Sequence, residues 1–219
     1  MTELRICFVG DSITQGTKDD TTLGWPGRLV AAARDKGHDF GCYNLGIRRE
    51  TSQDITKRWK AEVEVRLPKT SPAAVVFMFG INDMQSAAGE LFRVPPAESV
   101  KYARAIVTEA KAHWPVLWIS PVPPIPGHRT KDAFPDLEDD YVNVRAKKLV
   151  EAYAHVAKEL DVPYLDLYAQ LSKPGFTRWR WHRALKAGDG IHPVASGYAL
   201  MAKLIGRWEE WQAWIDGDF

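Results

Sequence analysis

Five short apolar runs, each separated from the next by a longer amphipathic stretch, narrow what this chain can fold into. The runs are Leu4–Val9, Phe40–Leu45, Ala73–Phe79, Val116–Ile119 and Val162–Leu167. Helical patterns lie between them near Trp25–Lys36, Ser52–Arg66, Ala97–His113 and Glu138–Leu160, and a last one runs from Ala195 to Trp214. Strands alternating with helices of this length imply βαβ units, and hence a parallel sheet with helices on both faces. The expected fold class is α/β: a three-layer α/β/α sandwich around a flavodoxin-like five-stranded sheet of order 2-1-3-4-5. A chain of 219 residues fits one such domain, spanning 1–219, and can bury a substantial core.

Local punctuation agrees. Ser52 is placed to cap the second long helix, with Ile55, Trp59 and Val63 four apart on one face and Pro68 just beyond its end. The proline-rich stretch Pro121–Pro135 follows the fourth strand. It cannot be a central strand or a helix and reads as a rigid surface loop, either a wall of a site or a plain connector. Trp208, Trp211 and Trp214 or Ile215 recur at helical spacing; core packing is the simpler reading, a dimer face the other.

Bulk properties exclude several classes. A net charge of +1 gives no field for nucleic acid or acidic membranes. No window reaches the roughly 18 apolar residues of a spanning helix. The segment Met1–Arg5 lacks the sections of a signal peptide, so the cytoplasm is the expected location, although a chain trimmed of its leader would look the same. The two cysteines, Cys7 and Cys42, both fall in expected strands and read as buried thiols. The histidines outside the candidate site (His38, His113, His128, His155 and His182) share no ligand spacing, and neither a dinucleotide fingerprint nor a P-loop is present. No metal and no cofactor is therefore expected.

In open parallel sheets, ligands bind beyond the carboxyl ends of the strands, where strand order reverses. The first run leads into Gly10-Asp11-Ser12, the second into Asn44-Leu45-Gly46-Ile47, and the third into Gly80-Ile81-Asn82-Asp83. With order 2-1-3, Ser12 has Gly46 on one side and Asn82 on the other. A fourth polar segment, Gly188-Asp189-Gly190-Ile191-His192-Pro193, lies near the end. Pro193 disfavours helix at His192, which places the pair in the loop before the last helix. There Asp189 can accept from one imidazole nitrogen and leave the other free as a base. Alternatively, Asp189 caps a turn and His192 is a surface residue.

Together these blocks resemble the SGNH hydrolases, the GDSL esterase/lipase family. Ser12 in Gly-Asp-Ser, Gly46 in the second block, Asn82 in Gly-x-Asn-Asp and His192 in Asp-x-x-His match in order, and Gly24-Trp25-Pro26 resembles the segment that opens the family's first helix. The resemblance implies a nucleophile at Ser12, a general base at His192 and an orienting carboxylate at Asp189. It also implies an oxyanion hole made by the backbone N–H groups of Ser12 and Gly46 and the amide of Asn82. Asp11 and Asp83 are expected to tie loop backbone groups together rather than to react.

The chain departs from the family's common pattern in Ile13, in place of leucine, and in Ile47-Arg48-Arg49-Glu50, where many members carry small residues. Arg48 and Arg49 either bind an anionic or polar substrate group, or are simply solvated or paired with Glu50. The run Phe176–Arg183 mixes cations with Trp179 and Trp181. It reads as a loop that either lines the pocket mouth or packs with its arginines outward. The expected activity is cofactor-free hydrolysis of a small-molecule carboxylic ester, with short acyl groups favoured, through an acyl-enzyme. Carbohydrate O-deacetylation, thioester or lysophospholipid hydrolysis, and acyl transfer are the alternatives. A homodimer is compatible with the sequence.

Overall fold

The computed structural model describes residues 3–86, 90–126 and 141–216. Five parallel strands, β1 (Leu4–Gly10), β2 (Phe40–Gly46), β3 (Ala73–Met78), β4 (Val116–Ile119) and β5 (Tyr164–Leu165), form a sheet of order β2-β1-β3-β4-β5. Among the described residues the helices are α1 (Ser12–Gln15), α2 (Gly24–Arg34), α3 (Ser52–Thr56), α4 (Trp59–Glu64), α5 (Pro96–Lys111), α6 (Tyr141–Glu159), α7 (Leu167–Ser172), α8 (Phe176–Ala187), α9 (Ala195–Ile205) and α10 (Glu209–Asp216).

Side chains alternate across a strand, so each strand feeds two cores. Ile6 and Phe8 of β1 join Val76, Leu117 and the apolar faces of α2, α8, α9 and α10. Cys7 and Val9 join Val75, Phe77, Trp118 and the faces of α3 to α6. Three layers result. The same alternation keeps the cysteines apart: Cys42 lies beside Ile6 in the ladder and Cys7 beside Tyr43, so the two thiols face opposite layers. Burial pushes the Cys7 thiol up to about 12 and that of Cys42 up to about 11.

Local expectations fare unevenly. The last strand shrinks to Tyr164–Leu165 because Pro163 has no N–H to donate to the ladder and Asp166 turns the chain into α7 by accepting the Ala169 N–H at 2.8 Å. The expected Ser52–Arg66 helix is two helices, broken at Arg58 (φ −127°), whose guanidinium leaves the helix to bind other groups. Its cap is Thr51, not Ser52, in a reciprocal box with Asp54. The last helix also divides, at Gly206–Trp208. Trp211, Trp214 and Ile215 are buried against the first core, as core packing requires. Residues 127–140, which hold the end of the proline-rich stretch, His128 and the start expected for the fourth long helix, lie outside the described residues. Among the described residues no helix is long and apolar enough to cross a membrane.

Register decides where the site lies. Gly10 pairs with Gly46 on one side and Met78 on the other, so three strand ends reach one edge at one level. The far end of the chain is drawn to that edge by Tyr198 of α9, whose buried hydroxyl donates to Thr17 O at 2.7 Å. Tyr198→Phe should cost about 1 kcal/mol, a fall of about 2–4 °C in Tm, read by thermal unfolding. An unchanged Tm would show that this bond does not hold α9 in place.

Candidate active site

Ser12 is the first residue of a one-turn helix. Asp11 caps it by accepting the Ile13 N–H at 2.9 Å, so the Ser12 N–H, at the first helical position, has no acceptor within the helix. The turn is held on both flanks. Thr14 Oγ1 donates to Met78 O at 3.3 Å, and Asn44 Nδ2 donates to Thr14 O at 2.9 Å.

Asp189 and His192 occupy the tight turn between α8 and α9. Asp189 Oδ1 accepts the backbone N–H groups of Ile191 (3.1 Å) and His192 (2.8 Å). Gly190 adopts φ +84°, a left-handed conformation that glycine meets without strain. The turn is tied down by Gly190 N–H to Leu185 O at 3.0 Å and by Ile125 N–H to Gly190 O at 2.9 Å. The start of the proline-rich stretch thus braces the turn from outside.

The three side chains form one line. Asp189 Oδ2 lies 2.8 Å from His192 Nδ1, and His192 Nε2 lies 2.8 Å from Ser12 Oγ. Partial burial alone would raise the Asp189 carboxyl. The His192 backbone N–H, its ring and the Ile191 N–H outweigh this and hold it down at about 2. An ionised Asp189 fixes the proton on Nδ1, and Nε2 can then accept the serine proton.

Asn82 follows β3 in a turn closed by Asp83 N–H to Gly80 O at 3.1 Å. One N–H of its amide goes to Glu50 O at 2.8 Å, which leaves the other for a ligand. Asp83, fully buried, accepts the Ser52 N–H at 2.8 Å and the Ser99 hydroxyl. It therefore anchors α3 and α5 to this edge, the tying role expected for it and for Asp11.

Gly46 serves a different purpose from the expected one. Its N–H is bound to Asn44 Oδ1 at 3.0 Å, and a β-carbon there would stand 2.2 Å from Gln15 N. Glycine at 46 lets α1 pack against β2. The chain continues into a turn over Ile47–Glu50, closed by Glu50 N–H to Ile47 O at 3.5 Å, and Arg49 takes φ +68° there. Among the described residues the backbone N–H of Arg49 has no hydrogen-bond acceptor. Arg48 and Arg49 are exposed and make no ion pair with Glu50. Glu50 is held by Arg58, whose Nε approaches it at 2.6 Å while Nη1 binds Glu62 at 2.9 Å and Nη2 donates to Gly10 O at 3.1 Å. Nothing in the sequence pattern singles out Arg58 for this task.

The Phe176–Arg183 run is helix α8, not a loop. Trp181 faces the core, fully buried, with its indole N–H on Pro123 O at 2.8 Å. It supports the proline-rich stretch and is not at a pocket mouth. Trp179 stands on the outer face, half exposed and stacked on Phe176 at 5.6 Å.

The profile of the GDSL-like lipase/acylhydrolase family matches residues 8–200. Among solved structures, the chain is similar to the lipase/acylhydrolase from Enterococcus faecalis, with 27% identity over 93% of both chains and a TM-score of 0.68. It also shares its fold with the acetylxylan esterase Axe2 from Geobacillus stearothermophilus, at 20% identity over 94% of both chains and a TM-score of 0.69. No curated protein matches the sequence.

Burial at the head of α1 has a measurable consequence. Asp11 is dry and has one backbone donor, and burial, opposed by the Ile13 N–H and reinforced by Asp83 and Glu50, pushes its carboxyl up to about 7. The folded state therefore keeps this proton to higher pH than the unfolded chain, and stability falls as pH rises from about 4 to about 7. Asparagine retains the cap acceptor. Asp11→Asn should gain on the wild type by up to about 4 kcal/mol between pH 4 and pH 8 in denaturant unfolding; a difference that does not vary with pH would contradict this.

Proposed function

Since the chain belongs to the GDSL-like lipase/acylhydrolase family, we propose that it is a serine esterase that hydrolyses carboxylic esters through an acyl-enzyme. The observation that carries this reading is the line from Asp189 through His192 to Ser12, with both contacts at 2.8 Å. In this mechanism His192 Nε2 takes the Ser12 proton as Oγ attacks the acyl carbon, and the ionised Asp189 offsets the imidazolium charge. The tetrahedral intermediate collapses as His192 returns the proton to the leaving alkoxide. A water then repeats the sequence on the acyl-enzyme, releasing the acid and restoring the Ser12 hydroxyl.

The negative oxygen of the intermediate needs donors already in place. We assign the Ser12 N–H, which has no helical acceptor, and the second N–H of the Asn82 amide. The Arg49 N–H takes the part expected of Gly46. Three facts support that choice: it has no acceptor among the described residues, Asn82 binds the next carbonyl along, and a non-glycine residue held at φ +68° is the kind of strain that marks a functional turn.

Within this activity the acetyl group is the favoured acyl unit, carried by a carbohydrate. Likeness in fold to an acetylxylan esterase supports it. Acetate release from acetylated xylo-oligosaccharides, compared with an acyl series on 4-nitrophenol, tests this choice. A preference for octanoyl over acetyl esters would reject it.

The mechanism is tested by substitution. On 4-nitrophenyl acetate, Ser12→Ala or His192→Ala should lower kcat by about 10³-fold or more, Asp189→Asn by about 10²–10⁴ and Asn82→Ala by about 10²–10³. Near-normal turnover in Ser12→Ala or His192→Ala would sink the assignment.

A further inference from the structure

The β2–α3 turn carries two cations that the fold does not use. It is held at both ends: Ile47 N–H donates to Gly10 O at 3.1 Å, two residues before Ser12, and Glu50 O accepts from Asn82 at 2.8 Å. Arg48 and Arg49 lie between these two anchors, so their backbone positions are fixed relative to the nucleophile. Both side chains are exposed, and neither makes an ion pair with a described residue.

The carboxylates around the turn are already committed. Glu50 is taken by Arg58, Asp54 by Thr51 and Lys57, Asp189 by the His192 turn, and Asp11 and Asp83 are buried with their own donors. Pairing with Glu50 is thereby excluded in favour of Arg58, which leaves, of the readings offered by the sequence, a solvated pair or one that meets a substrate group.

Arg49 also occupies its place at a cost. At φ +68° a side-chain-bearing residue pays about 1–2 kcal/mol that glycine does not. Glycine would supply the same backbone N–H without that strain. What arginine adds is an exposed cation on a turn whose two ends are tied to Gly10 and Asn82, with five donors suited to a carboxylate or phosphate.

From this juxtaposition we infer that the site selects esters bearing a negatively charged group close to the scissile bond, so that among acetylated carbohydrates it favours those with an acidic group beside the ester over neutral ones, read by the guanidinium of Arg49 with Arg48 beside it. The inference rests on the esterase reading above and names the substrate class of that same site. A carboxylate on the acyl side and one on the alcohol side present the same chemistry to the arginines, and separate probes distinguish them.

The test measures kcat/KM for matched pairs: 4-nitrophenyl hemisuccinate against 4-nitrophenyl butyrate for the acyl side, and 4-acetoxybenzoate against phenyl acetate for the alcohol side. Each is measured in wild type, Arg49→Gly, Arg49→Lys and Arg48→Ala. Working with ratios removes the intrinsic reactivity of each ester and any loss common to both. In at least one pair, Arg49→Gly should lower the anionic-to-neutral ratio by about tenfold, with a smaller fall in Arg48→Ala. Arg49→Lys should keep most of the wild-type ratio, and added salt should erode it. Ratios unmoved by Arg49→Gly in both pairs, with the neutral esters still turned over, would overturn the inference and leave the esterase reading intact. Failure of the wild type to hydrolyse any of the four esters would instead remove the reading on which it rests.

Discussion

A hydrogen bond between residues 180 apart in the chain, His192 Nε2 to Ser12 Oγ, is the contact that the rest of the molecule serves. A bond at 2.8 Å tolerates little displacement of either partner, and the two belong to elements that share no local sequence. The fold meets this demand with buried, individually modest ties. Tyr198 joins α9 to the chain just after α1, Trp181 holds Pro123, and Ile125 holds Gly190 inside the His192 turn. The proline-rich stretch is thus a brace: short of backbone donors and stiff, it carries the position of α8 to the histidine turn.

The other half of the edge is organised by buried charge. Arg58 reaches Gly10 O, Glu50 and Glu62 at once, joining the end of β1 to the turn after β2. Asp83 does the same for α3 and α5. Such groups are costly to bury unless every lone pair finds a donor. Asp11 has fewer donors than its neighbours and is the carboxyl whose proton is held to near neutrality. These buried groups fix the backbone around Ser12 at a cost in stability.

The sheet was legible because its central strands β1, β3 and β4 are buried on both faces, so every position in a run such as Cys7–Val9 or Val75–Phe77 had to be apolar. The Ser12, Asn82 and Asp189–His192 segments were legible because each is local in sequence and follows a strand or precedes a helix. Failures came where a residue's partner is distant. The break at Arg58 depends on Gly10 and Glu50. Helix α8 was hidden because Phe176 and Trp179 face outward while Trp181, two residues on from Trp179, finds Pro123 in the core. Arg–Trp alternation cannot reveal which of its aromatics is inside.

Gly46 and Arg49 show the same limit at closer range. A glycine at a strand end announces that something approaches the backbone, but not what. Here it is α1, through Gln15 N, and the Gly46 N–H is spent on Asn44. Three residues later the chain takes the left-handed conformation that glycine usually supplies, and carries arginine. A sequence reader looking for a backbone donor is drawn to the glycine, because small size is the visible mark of such a role. What the proposed oxyanion hole requires is an N–H with no acceptor of its own near Ser12, and any residue able to bear the strain can supply it. Arg49 meets that requirement on the proposed reading, and it keeps an exposed guanidinium that glycine would not.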